Sequence, residues 1–137
     1  MLLDDLGTYL QTQGVGTLEV DLFLGGFPLD TASAPVHDAI MALIETAGMG
    51  PFHVHNQQQA SFERPTIQVA TRGAAYGYAA ARTRSQAAFN VLDGSANMVL
   101  SGTQYLSVLA LQSPFFLHTD QANRPVIVFN VLIAKAI

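Results

Sequence analysis

The residues able to do chemistry in this chain are four histidines, a set of unevenly placed charges, and no cysteine. His53 and His55 form an H-x-H pair with Glu63 nearby in sequence. On a strand, residues i and i+2 share a face, so two imidazoles could hold one metal ion. In a polar loop the same pair is ordinary surface, and no third ligand stands at a convincing spacing. His37-Asp38 and His118 with Asp120 could make His–carboxylate pairs, a juxtaposition that arises readily by chance. Without cysteine there is no thiolate nucleophile, disulfide or thiolate metal site. Ser101-Gly102 lacks the G-x-S-x-G elbow of a serine hydrolase. Gly73-Ala74-Ala75-Tyr76-Gly77 lies where a phosphate loop would sit, but it has neither the dinucleotide nor the P-loop spacing, and no Lys follows. Glycine there suits a tight strand-to-helix turn. Arg82 and Arg84 flank the apolar stripe of a helix, as solvated side chains or as contacts to acids of a neighbouring subunit. Tyr76 and Tyr78 beside them read as core and rim rather than as a stacking platform. No catalytic residue, cofactor or metal is expected. A small metal- or ligand-binding enzyme using His53, His55 and Glu63 is the weaker alternative.

The elements that position these residues centre on Phe62–Leu92. Pro65 opens a strand, and Thr66–Arg72 alternates, with Ile67, Val69 and Thr71 on one side. From Ala74 the period becomes helical. Tyr78, Ala81, Ser85, Ala88, Phe89 and Leu92 form one stripe, with Ala79, Thr83, Ala87 and Asn90 opposite, and Asp93-Gly94 ends it. Before this unit, Leu2–Gln13 reads as a helix, Val20–Leu24 as a strand and Leu29–Asp38 as a loop. Ala39–Thr46 reads as a buried strand, and Ala47–Ser61 as a mobile loop or extended hairpin tip. After it, Ser95–Thr103 reads as a connection and Gln104–Gln112 as a strand. Ser113-Pro114 interrupts that strand before Phe115–Leu117 resumes the edge. Thr119–Pro125 reads as a turn, and Val126–Ala134 as a long β-branched strand antiparallel to the one before it. The order predicts one α+β domain over residues 1–137: a mostly antiparallel sheet of about five strands with two helices packed on one face.

Half of the 137 residues are hydrophobic and 12% are charged, about half the usual charged share. A surface so poor in charge suggests subunit contacts. No apolar run approaches the roughly 20 residues that span a bilayer, so no membrane partner is expected. The opening MLLDDLG, acidic from the fourth residue, does not read as a signal peptide. Up to Glu63 there are eight acids and no Lys or Arg; from Arg64 there are six bases and two acids, giving formal charges of −8 and +4. Either the halves fold together and the charges mix, or the molecule has acidic and basic faces that associate head-to-tail. A net charge of −4 argues against a grip on nucleic acid.

Three stretches then bring a family into view. ERPTIQVATRG (Glu63–Gly73), YAAAR (Tyr78–Arg82) and GTQYLSVLALQSPFFLHTDQANRPVIVFNV (Gly102–Val131) resemble the bacteriophage minor capsid or tail-terminator family. Its members open with a short helix and a DLFLG-like strand, here Asp21–Gly25. They close with an LQSP-D-x-x-x-R-P hairpin, here Leu111–Pro114 and Asp120–Pro125. The similarity keeps its order over nearly the whole chain. It departs at Ala47-Gly48-Met49-Gly50, where the family's paired glycines are blurred, and in the longer Leu29–Asp38 loop.

The resemblance implies a structural protein of a phage neck, found in the virion and assembled in the host cytoplasm. It implies a homo-oligomeric ring, a hexamer, that caps the tail-tube protein and faces a head-completion or connector protein, with DNA passing through the lumen unbound. A head-completion role at the same neck is the alternative. A closed ring needs two different surfaces on each subunit. Arg72, Arg82 and Arg84 are therefore expected to meet acids of the next protomer, Asp21 or Glu45. The loop residues His53, His55, Asn56, Gln57, Gln58 and Gln59 are expected to contact a tail or head partner.

Overall fold

The computed structural model describes residues 1–29, 37–53 and 61–137. Helix α1 (Leu2–Thr12) leads to β1 (Leu22–Leu24), β2 (Ile40–Phe52) and β3 (Phe62–Arg72). Helix α2 (Tyr78–Leu92) is followed by β4 (Ser95–Leu100), β5 (Thr103–Ala110), β6 (Phe115–Thr119) and β7 (Pro125–Ala136). The strands form one sheet in the order β1-β2-β3-β7-β5-β4, and β6 also pairs with β7. Because β5 pairs with the Val131–Lys135 part of β7 and β6 with Pro125–Val128, β6 resumes the edge that β5 leaves.

The α+β expectation holds, but the sheet is larger and mixed rather than five-stranded and mostly antiparallel. Among the described residues it has seven strands, and β1 runs parallel to β2. A parallel return requires a long connection, and the chain from Gly25 to Ala39 supplies one. The expected connection Ser95–Thr103 is instead β4 and a hairpin turn. Ser101 and Gly102 both hold left-handed backbone (φ 49° and 80°), and Leu100 pairs directly with Thr103. That is the twist a two-residue hairpin needs. The β2 strand outruns its predicted end at Thr46 and continues to Phe52, where it faces Phe62 with rings stacked at 4.7 Å. The remainder of the predicted loop, residues 54–60, lies outside the described residues.

Both helices pack on the same face. Leu2, Leu6 and Leu10 of α1 and Ala88 and Leu92 of α2 join Met41, Leu43, Ile67, Val69, Phe129, Val131 and Ile133 in the main core. These strand residues alternate along β2, β3 and β7, as period 2 demands. The predicted α2 stripe is buried at Ala81, Ser85, Ala88 and Leu92, while Tyr78 at its head is exposed. The helix begins at Tyr78, not Ala74, because Tyr76 takes a left-handed φ of 59°. Gly73 makes the strand-to-helix turn possible. A Cβ there would lie 2.8 Å from the Gly77 carbonyl oxygen and 3.0 Å from the Ala81 methyl. Helix α1 touches both β1 and β4, the two ends of the strand order, so the sheet curls around it.

Candidate functional site

The charged residues come together inside the fold. Arg84 of α2 reaches the segment before β1: one guanidinium nitrogen lies 3.4 Å from an Asp21 carboxylate oxygen and donates to the Asp21 carbonyl at 2.8 Å. Burial lowers the Arg84 pKa, and the Asp21 charge partly restores it. Lys135 of β7 meets Glu63 of β3 at 2.7 Å. Arg124 in the β6–β7 turn meets Asp120 at 2.8 Å and Asp38 at 3.1 Å. For Asp120, burial acts upward, but the N–H groups of Arg124 and Ala122 and the guanidinium outweigh it and hold the carboxyl below its usual range. Arg72 is buried, donates to the carbonyls of Asp38 (2.9 Å) and His37 (3.2 Å), and stands 5.3 Å from the Phe27 ring centre.

Within one chain this arrangement already engages Asp21, Arg72 and Arg84, three of the residues expected to meet the next protomer. Asp21 is engaged by Arg84 of its own chain, and Arg72 anchors the ends of the β1–β2 connection. The acidic first half and the basic second half partly offset each other, through three ion pairs among the described residues, because the fold brings the two halves side by side. Of the residues predicted to meet a neighbour, Arg82 and Glu45 remain toward solvent. Glu45 is exposed on β2. Arg82 donates to Gln86 Oε1 at 3.2 Å, and Gln86 donates to Asn90 Oδ1 at 3.0 Å, forming a polar ridge along α2.

The described residues do not include the whole of the weaker alternative site, His53, His55 and Glu63. His53 is exposed, and its partner His55, like Asn56–Gln59, lies outside the described residues. Among the described residues no three His, Asp or Glu side chains are grouped to hold a metal ion. The Asp120 carboxylate is taken by Arg124 and by the N–H groups of Ala122 and Arg124, and His118 is not its partner. Sequence reasoning missed one polar pair. Tyr105 of β5 donates to Asp5 of α1 at 2.6 Å, wholly within the core. Burial first, then the Asp5 hydrogen bond and charge, push the Tyr105 phenol well above its ordinary pKa. The signal was there: Asp5 falls on the same helical stripe as Leu2, Leu6 and Tyr9.

What remains are surfaces. One flank carries α2 and β6. Tyr78 and Phe116 rings lie 6.2 Å apart, Tyr76 is 83% exposed, and Phe115, Phe116 and Leu117 are all exposed on β6. The other flank carries α1 and β1, with a cavity lined by Asp4, Leu18, Glu19, Leu22, Phe23 and Leu24. No reactive group is prominent on either.

The profile of a family described as bacteriophage tail terminator protein matches residues 9–137. The chain belongs to that family. A chain in a structure of the virion of a native gene transfer agent particle has a similar fold, with a TM-score of 0.70. It is 16% identical, over 98% of this chain and 94% of that one. No match was found among curated proteins. Membership of the tail terminator family makes this a structural component of a phage or phage-like virion. Among the described residues no helix is long and apolar enough to cross a membrane.

Proposed function

We propose that this tail terminator closes into a ring of six copies, caps the end of the tail tube, and presents the opposite side to a head-completion or connector protein. The family match over residues 9–137 carries the reading. The two unlike open flanks accord with work done by surfaces. With a net charge of −4, such a ring repels phosphate and lets DNA slide through its lumen. Arg82 and Glu45 lie at subunit contacts in this reading.

The segment His53–Gln59, which joins β2 to β3, contacts the tail-tube or head partner. Deleting it leaves the ring intact and blocks head-to-tail joining in reconstitution; joining that persists removes the segment from the contact. The central test is electron microscopy and mass measurement of the purified protein, alone and with polymerising tube protein. Closed rings that sit on tube ends and halt growth are expected. A lone protomer at high concentration that binds neither tube nor head component overturns the reading.

A further inference from the structure

Arg82 and Arg84 stand two positions apart on α2, about 200° around the helix. Arg84 turns toward β1, where it meets Asp21. Arg82 therefore turns away from β1, onto the flank that β6 shares. Tyr78, one turn earlier, touches Phe116 of β6 and confirms the direction. This flank combines aromatic side chains with one guanidinium that has no carboxylate within reach among the described residues. Gln86, itself tied to Asn90, fixes one end of that guanidinium and leaves its other N–H groups to donate outward.

The α1–β1 flank is its complement. Its cavity measures about 450 Å³, room for a long side chain. Leu18, Leu22, Phe23 and Leu24 offer apolar wall to a methylene stem, and Asp4 and Glu19 stand at the cavity with no cation partner among the described residues. Glu19 is held in left-handed backbone (φ 64°) by its N–H bond to the Leu22 carbonyl at 2.9 Å. Aromatic and Arg-bearing surface on one side and apolar surface rimmed with acid on the other match the composition of protein interfaces. Because the two patches lie on opposite flanks of one chain, they can satisfy each other only head-to-tail between copies.

We infer that the α2–β6 flank of one copy docks on the α1–β1 flank of the next, with Arg82 entering the cavity between Asp4 and Glu19. This rests on the ring proposed above and names the surfaces that form it. The test starts from the mass of the wild-type protein by light scattering. A monomeric wild type refutes the ring itself. Given an oligomeric wild type, Arg82→Glu, and separately Asp4→Lys with Glu19→Lys, should each weaken association roughly thirty-fold or more, the effect of breaking a close interfacial charge pair. The chain carrying all three reversals should assemble again, and circular dichroism should show every variant folded. An oligomer of unchanged mass in Arg82→Glu overturns the inference while leaving the ring standing. So does a folded triple variant that stays apart. Variants that form rings normally but no longer bind tube protein assign the flank to that partner and overturn it too.

Discussion

Replacing Tyr105 with Phe removes one oxygen and tests how α1 is fastened to the sheet. The Asp5 side chain is 4% exposed and Tyr105 is fully buried, with 2.6 Å between phenol and carboxylate. Without the phenol, the buried carboxylate loses its hydrogen-bond donor at one oxygen and keeps only the Met1 ammonium, 3.5 Å from the other. A hydrogen bond to a charged group contributes about 1.5–3 kcal/mol, and the oxygen left without a donor keeps its desolvation penalty. At roughly 3 °C per kcal/mol for a chain of this size, the melting point should fall by roughly 5–9 °C. In urea, with a slope of about 2 kcal/mol per molar, the midpoint should fall by about 1 M. A double-mutant cycle with Asp5→Asn should show a coupling of roughly 1 kcal/mol or more, at fixed protein concentration so that self-association does not intrude. The pH dependence adds a second readout. The Tyr105 phenol is held above its ordinary pKa, so the folded state favours its neutral form. Its contribution is complete below the unfolded value, about 10, and is lost as pH rises from there toward the higher folded value. Wild type should lose stability on that alkaline side, and Tyr105→Phe should lack the corresponding slope. A Tyr105→Phe protein within about 0.5 kcal/mol of wild type, with the same alkaline profile, refutes the account.

Gly73→Ala should destabilise by roughly 1–3 kcal/mol in denaturant titration, because its Cβ would meet the Gly77 carbonyl oxygen at 2.8 Å. Arg84→Ala should cost roughly 1.5 kcal/mol in the same assay, since it removes one charged donor shared by the carboxylate and the carbonyl of Asp21, which keep the N–H groups of Thr17 and Met41. Asp120 has a lowered carboxyl pKa. Its contribution is therefore present above the unfolded value, about 3.9, and disappears as pH falls below it. Asp120→Asn should flatten that acid limb in thermal melts. Oligomers should persist in 1 M salt, where the Debye length is about 3 Å, with only modest weakening in sedimentation, because most charge pairs lie within the chain. Dissociation at moderate salt would show that charge dominates the contact.

The legible parts of the fold were those where one physical signal dominated. The α1 leucines, the alternation of Thr66–Arg72, the α2 stripe and the β-branched run of β7 all carry a clear period, and each falls in the expected kind of element, although α2 begins at Tyr78 and leaves that residue exposed. The β4 strand was missed because SANMVL is short and only partly buried. Its signal lay in Ser101-Gly102, read for nucleophile chemistry instead of as a hairpin turn. The length of β2 was missed because Gly48, Gly50 and Pro51 suggest a loop, whereas the strand accommodates them through register shifts opposite Arg64 and Phe62. Asp5 enters the sequence reading only in the charge count, although it lies on the helical stripe. Its partner lies a hundred residues away, beyond the reach of any local pattern.

The charge asymmetry is the most instructive case. Eight acids followed by six bases look like two faces made for each other, and so they are, but largely within one molecule. A sheet whose middle strands come from both halves of the sequence brings those halves side by side. Asp21 meets Arg84, Asp38 meets Arg124, and Glu63 meets Lys135, each pair linking an early element to a late one. A linear segregation of charge therefore reports on how the halves assemble before it reports on partners. Only charges facing away from those contacts are free to act between molecules. On α2 the helical period separates the two cases within a single turn: Arg84 turns toward Asp21 and meets a carboxylate, while Arg82 turns the other way and, among the described residues, bonds only the neutral Gln86. In the proposed ring, complementarity between subunits must come from that small remainder, together with the exposed aromatic residues of β6 and the apolar cavity beside β1.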